Sequence, residues 1–243
     1  VGEERGILEG SSDFTWVLDP IDGTRAFISG IPVWTVLVSL SQNNVPILGV
    51  IYQPFTEEFF SGGLGASNYT CKHVSREIGV RQCGGLSKAF LASTFPEVGT
   101  NYERKAFERV ASKVKLCRYG MDAYAYALLA SGHLDIVVEA GLNPYDVQAP
   151  IAVIEAAGGI VTDWTGAPAT NGGRVLACGD KLVHKTAVEM LSIKDKCKKK
   201  GVLNQFYDID LNTNEDFNKI NEPNNQLDNI TNQYLIFNCC SIL

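Results

Sequence analysis

Thr15-Trp16-Val17-Leu18-Asp19-Pro20-Ile21-Asp22-Gly23-Thr24 is the stretch on which the reading of this chain turns. The apolar run 16–18 reads as a short buried strand that ends at Asp19, because Pro20 has no N–H for a ladder and a loop is expected to begin there. At the end of that strand stand two carboxylates, Asp19 and Asp22, on a loop stiffened by Pro20. Hard cations prefer oxygen ligands, so such a pair can converge on one, and the Ile21 carbonyl between them can add another oxygen. Gly23 permits a tight turn, and backbone N–H groups near a short helix start at Thr24 offer donors to a phosphate oxygen. Asp and Gly also favour plain turns, so by itself the stretch supports a turn and a metal site equally. Two more acids favour the metal: Glu3 upstream, and Asp146 in Asn143-Pro144-Tyr145-Asp146, just before a helix. Asp146 alone would pass as a helix N-cap. Capping and ligation are compatible, because a cap also places its carboxylate at a loop edge.

Outward from this stretch, residues 33–40 alternate apolar and small polar side chains, Asn43-Asn44 signals a turn, and 47–52 is a second β-rich run, which together predict a hairpin. Gly62-Gly63-Leu64-Gly65 reads as turns rather than a phosphate loop, since no helix start follows it, and a strand is expected at 78–81. From Leu86 onward strands and helices alternate. Strands are expected at 90–94, 116–119, 134–139, 160–164 and 175–178, with helices at 102–114, 122–131, 147–157 and 181–191; Gly158-Gly159 closes the third helix. This predicts a layered α/β architecture with helices packed on sheets. The catalytic domain is expected to occupy 1–193. After about Lys194 a charge run gives way to an Asn-rich, low-complexity tail, 194–243, expected to be disordered, with 234–237 as a stray strand. The chain opens on Val1 and enters directly at Gly2-Glu3-Glu4, which reads as an N-terminal truncation.

Composition excludes several classes. A formal net charge of −6 and a pI near 5.1 leave no basic field for nucleic acid. No long apolar run spans a bilayer and no leader precedes Val1, so a soluble, cytoplasmic protein without a membrane partner is expected. The 7 cysteines form no CxxC pair and read as reduced thiols. The Asn-x-Thr triplets at Asn68 and Asn229 read as chance matches rather than glycosylation sites. His73, His133 and His184 have no zinc-ligand spacing and read as surface residues, and Gly-x-Ser-x-Gly is absent. Tyr124 and Tyr126 read as core.

Gly2-Glu3-Glu4, then 16–24 with Phe27, then Tyr145-Asp146 followed by Glu155-Ala156-Ala157-Gly158-Gly159, resemble the signatures of the inositol monophosphatase superfamily in order and spacing. The segment 118–127, continuing to Glu139-Ala140-Gly141-Leu142, resembles its histidinol-phosphatase branch, and the likeness covers about residues 1–191. It implies an α-β-α-β-α sandwich of the inositol monophosphatase and fructose-1,6-bisphosphatase type, here without its N-terminal elements, and a family that commonly forms homodimers. It also implies two or three Mg2+ ions. Glu3, Asp19 and the Ile21 carbonyl would hold one, and Asp19, Asp22 and Asp146 a second. Glu3 and the Thr24 hydroxyl would orient the attacking water, and the N–H groups of Gly23 and Thr24 would steady the phosphoryl oxygens of a small phosphate monoester.

For histidinol phosphate, consumed late in histidine synthesis, a cationic leaving group calls for acids away from the metals, and Asp122 and Glu139 are the candidates. Asp122 would otherwise cap the helix after it. Glu139 ends an apolar strand, where a carboxylate needs a partner. An inositol or sugar phosphatase is the alternative within the class, and a silent fragment that binds metal or a partner is the alternative outside it. Without the family's N-terminal elements, an exposed apolar sheet face and a frayed terminus at Glu3 are expected. Pro150 is expected in the first turns of its helix, where it removes one backbone bond near Asp146.

Overall fold

The computed structural model describes residues 1–4, 6–8 and 10–192; the Asn-rich stretch and the expected strand at 234–237 lie outside the described residues. Short turns make the first part of the chain an antiparallel meander. β1 (Phe14–Asp22) leads through a short helix, α1 (Thr24–Ile28), into β2 (Thr35–Gln42), β3 (Val45–Gln53), β4 (Glu58–Gly63), β5 (Ala66–Cys71) and β6 (Val74–Glu77), which form one sheet in sequence order. Asn43 and Asn44, both at positive φ, close the β2–β3 hairpin with the backbone twist that a two-residue turn needs.

The remainder builds a mixed sheet of order β10-β11-β9-β7-β8. Its elements are β7 (Phe90–Ser93), α2 (Asn101–Ala111), β8 (Leu116–Tyr119), α3 (Tyr124–Ala130), β9 (Ile136–Leu142), α4 (Pro144–Ala156), β10 (Ile160–Thr162), β11 (Gly173–Cys178) and α5 (Lys181–Leu191). One core fills the space between the sheets, where Leu37, Ile51 and Phe60 face Val137 and Val175 across Leu129 of α3 and Val153 of α4. A second core lies on the far side of the mixed sheet, where Leu91, Ile136 and Leu176 meet Phe107 of α2 and Val183 and Leu191 of α5. The layers therefore run β-α-β-α. β3 and β4 come so close to α4 that a Cβ on Gly49 or Gly62 would run into the helix backbone at Ala149 or Val153, which explains glycine inside strands.

Several expectations change. β1 does not stop at Asp19 but continues through Pro20 to Asp22, with the register shifting between Asp19 and Asp22. β1 is the first strand of the sheet order, and the register shift absorbs the missing N–H. Nor is 16–18 a buried run: only Val17 is buried, while Trp16 and Leu18 are 52% and 43% exposed on the opposite face. With Phe14 and Phe59 they form the exposed apolar face that was expected. Residues 78–81 are not a strand. Ile78 donates its N–H to Ser67 O and Val80 donates to Ala157 O at the end of α4, so their donors serve two different elements. Among Gly62-Gly63-Leu64-Gly65 only Leu64 and Gly65 make the turn; the first two belong to β4. Pro150 lies in the second turn of α4, which starts at Pro144 rather than Val147, and its missing N–H falls opposite the Asp146 carbonyl, so the backbone bond expected to be lost near Asp146 is the one that is lost. Glu3 is not on a frayed end: its N–H donates to Leu18 O at 3.3 Å, and Leu18 N–H donates to Val1 O at 3.0 Å.

Candidate metal and phosphate site

The end of β1 delivers the first two acids. Asp19 is 2% exposed, and its Oδ1 accepts the Ile21 N–H at 3.1 Å, which orients the carboxylate. The register shift turns Asp22 toward the same side, where its Oδ2 accepts the Ala123 N–H at 2.7 Å and the Thr35 hydroxyl at 3.4 Å. Asp146 arrives from the first turn of α4. It is not the N-cap, which is Asn143; it sits three residues later, and its Oδ2 accepts the Asn143 N–H at 2.7 Å, closing the helix start from within. One carboxylate oxygen is thereby used for capping and the other is left for the site. Carboxylate oxygens of Asp19, Asp22 and Asp146 all lie within 4.8 Å of one another.

Burial and mutual repulsion dominate the electrostatics here. Burial first, then Asp22, Glu3 and Asp146, push the Asp19 carboxyl up to about 9. Asp22 is pushed up to about 8, again by burial first, against the Ala123 hydrogen bond that favours its charged form. Burial also raises Asp146, to about 6. The charges acting most strongly on Asp19 are all acidic. Carboxylates packed so closely need protons or a cation between them. An all-oxygen donor set of this kind suits magnesium, not zinc, so the residues present fit a magnesium-type ion.

The other sequence-predicted residues take varied places. Glu3 is exposed and stands outside the trio, yet reaches Asp19 through charge and a side-chain hydrogen bond. Thr24 Oγ1 donates to the Ile21 carbonyl at 3.1 Å, so its lone pairs remain free to accept and that carbonyl keeps one lone pair. Gly23 lies at φ 81, and a Cβ there would meet the Asp122 carboxylate at 3.1 Å; both facts favour glycine. Asp122, at φ 45, is not the cap of α3, whose N-cap is Ala123. Its carboxylate leans on Gly23 instead; burial raises its pKa and Arg25 opposes the rise. Glu139 finds the partner it needs in Thr94, whose N–H and hydroxyl reach Oε1 at 2.6 and 2.9 Å, and burial still pushes it up to about 7.

Sequence reasoning missed Arg25, whose guanidinium lies 4.7 Å over the exposed Phe95 ring and acts on Asp122. A basic residue immediately after Asp22-Gly23-Thr24 was the available signal. It also missed Thr94, which nothing short of strand pairing would place beside Glu139. Tyr124 is not simply core: its hydroxyl donates to Glu58 at 2.6 Å and so ties the start of α3 to β4. His184 is not a surface residue but half-buried against the Thr162 hydroxyl at 2.8 Å.

Two sheets separated by helices, with clustered acids where β1 and α4 meet, define an α/β protein whose carboxylates have the spacing of a cation site. The chain belongs to the inositol monophosphatase family, whose model matches residues 1–195. It is 46% identical over 202 residues to the bifunctional phosphatase IMPL2, chloroplastic, of Arabidopsis thaliana, covering 78% of this chain but only 57% of that protein. Against the histidinol-phosphatase of Mycobacterium tuberculosis the identity is 30% over 198 residues, covering 79% and 75%. The fold matches an inositol monophosphatase from Zymomonas mobilis with a TM-score of 0.73 and 34% identity, over 79% of this chain and 76% of that one.

Proposed function

We propose that this chain hydrolyses a small phosphate monoester with magnesium, and that the ester is histidinol phosphate. The observation that carries the reading is the trio Asp19, Asp22 and Asp146, gathered within 4.8 Å with no basic side chain among its strongest neighbours. These three, with the Ile21 carbonyl, would hold the cation. Bound there, the ion would supply Lewis acidity toward the phosphoryl group and offset the charge that develops on the departing oxygen. Thr24 Oγ1, its own proton committed to Ile21 O, accepts a hydrogen bond from the attacking water and so orients it together with Glu3, which approaches Asp19 from the solvent side. The amides at the start of α1 have no carbonyl partner one turn earlier in their helix and hold phosphoryl oxygens.

Asp122 and Glu139 take the cationic leaving group. Support comes from their shared electrostatic reach onto Asp22 and from the similarity to the mycobacterial histidinol-phosphatase. The similarity to inositol monophosphatases, seen in the Zymomonas structure, favours a polyol phosphate as the second reading. The working form is read as a homodimer in an aqueous, reducing compartment. Cys71, Cys83, Cys117 and Cys178 are free thiols, and among the described residues no helix is long and apolar enough to cross a membrane. Cytoplasm is the compartment we assign, although the name of the Arabidopsis relative places that protein in the chloroplast.

The test is phosphate release from histidinol phosphate and from inositol monophosphate, each with and without magnesium. Release from histidinol phosphate that needs magnesium is expected. A preference for the inositol ester overturns the substrate, and metal binding without hydrolysis of either ester overturns the activity.

A further inference from the structure

Tyr126 carries a buried hydroxyl that the fold itself does not employ. The residue lies on α3 and is 2% exposed, and among the described residues its phenol oxygen has no hydrogen-bond partner. The charges it feels most are those of Glu139, Asp22 and Asp146, in that order, which are acids of the site. Phenylalanine would fill the same space without burying an unbonded hydroxyl, so a tyrosine here calls for an acceptor.

Glu139 offers the matching half. Its Oε1 is fixed by the two Thr94 bonds, whereas Oε2 has, among the described residues, only the Ser93 hydroxyl at 3.4 Å. The start of α3 is itself held in place. Ala123 N–H donates to Asp22 Oδ2 at 2.7 Å, Tyr126 N–H donates to Ala123 O at 3.1 Å, and the Tyr124 hydroxyl is anchored on Glu58. A buried donor without a partner and an under-used carboxylate oxygen are the kind of polar groups that retain an ordered water between them.

We infer that Tyr126 is a positioning residue: its hydroxyl and Oε2 of Glu139 share one buried water at the floor of the site, and through it Tyr126 fixes the carboxylate that faces the leaving group. The role of that carboxylate rests on the function proposed above; the shared water does not.

Tyr126→Phe removes the oxygen and keeps the ring. Crystal structures of magnesium-loaded wild-type and Y126F protein are expected to show a water within about 3 Å of both Tyr126 Oη and Glu139 Oε2 in the first and none in the second. The KM for histidinol phosphate is expected to rise about two- to tenfold in Y126F with kcat nearly unchanged. Both constants for phenyl phosphate, whose leaving group carries no cation, should stay the same. A wild-type structure without that water, or an equal loss on both esters, overturns the inference. If wild-type protein hydrolyses neither ester, the proposed function fails on its own. The water and the Tm then decide: a lower Tm in Y126F supports the bond, and an equal or higher one overturns it. If Y126F does not fold, the wild-type density alone decides, a water at that position supporting the inference and an empty position overturning it.

Discussion

The two faces of the six-stranded sheet are made by the same strands and carry the same alternation, yet they meet opposite fates. On the inner face Val17, Leu37, Ile51 and Phe60 are buried against α3 and α4, and Asp19 is buried with them. On the outer face cross-strand pairing sets Trp16 beside Leu40, Leu18 beside Val38 and Tyr52 beside Phe59, and Phe14, Trp16, Leu18 and Phe59 stand exposed. Apolar character alone therefore does not say which face is covered. What distinguishes the inner one is its fit to a helix, visible where Gly49 and Gly62 admit the backbone of α4.

The sharpest way to break this contrast is to empty the inner face. Phe60→Ala should cost about 3–5 kcal/mol, because a fully buried ring leaves a cavity, and denaturant unfolding followed by circular dichroism would read the loss. On the function proposed above, Asp19→Asn should lower magnesium-dependent turnover by at least about a hundredfold, the upper range seen even for residues that only support metal ligands, and abolish the thermal shift on adding magnesium. In the metal-free protein the same change should raise Tm, since it removes a carboxylate that burial and its neighbours disfavour. Gly62→Ala should destabilise by about 1–3 kcal/mol, or more, as β4 and α4 are forced apart.

A pH series sharpens the comparison further. Asp19 and Asp22 sit near 9 and 8 against an ordinary 3.8, so between those limits the folded metal-free chain holds protons that the unfolded chain has released. Raising pH from about 4 to 9 therefore favours unfolding. Tm in a chelator should fall across that window, and saturating magnesium, which competes with those protons, should flatten the curve. Smallest of all, Trp16→Thr on the outer face should change stability by no more than about 0.5 kcal/mol while reducing self-association, measured by light scattering.

Much of the second half was legible because its elements are locally consistent. The strand expected at 116–119 and the helix expected at 181–191 have the boundaries the structure shows, and 90–94 and 175–178 nearly so. β5 was not legible: Ala66-Ser67-Asn68-Tyr69-Thr70-Cys71 has almost no apolar alternation and owes its extension to pairing with β4 and β6. Pro20 misled for the opposite reason, since its local preference to end a strand was overruled by the ladder with β2 on either side of the register shift.

For the site, candidate acids could be named from the order and spacing of three motifs, and the structure brings three of them, Asp19, Asp22 and Asp146, together. Their division of labour could not be named. That Asp146 spends one oxygen on the start of α4, that Asp122 leans on Gly23, and that Thr94 rather than substrate satisfies one oxygen of Glu139 all depend on contacts between segments far apart in the chain.

By itself the sequence determined the family, the layered α/β class and the oxygen-rich character of the site, because residue type and short-range spacing set backbone preference and ligand chemistry. Only the tertiary structure decided which sheet face is buried, how far the acids are driven from their ordinary protonation, and that the Tyr126 hydroxyl is buried with no partner among the described residues. Those outcomes depend on desolvation and on the meeting of remote segments, neither of which any local stretch of residues contains.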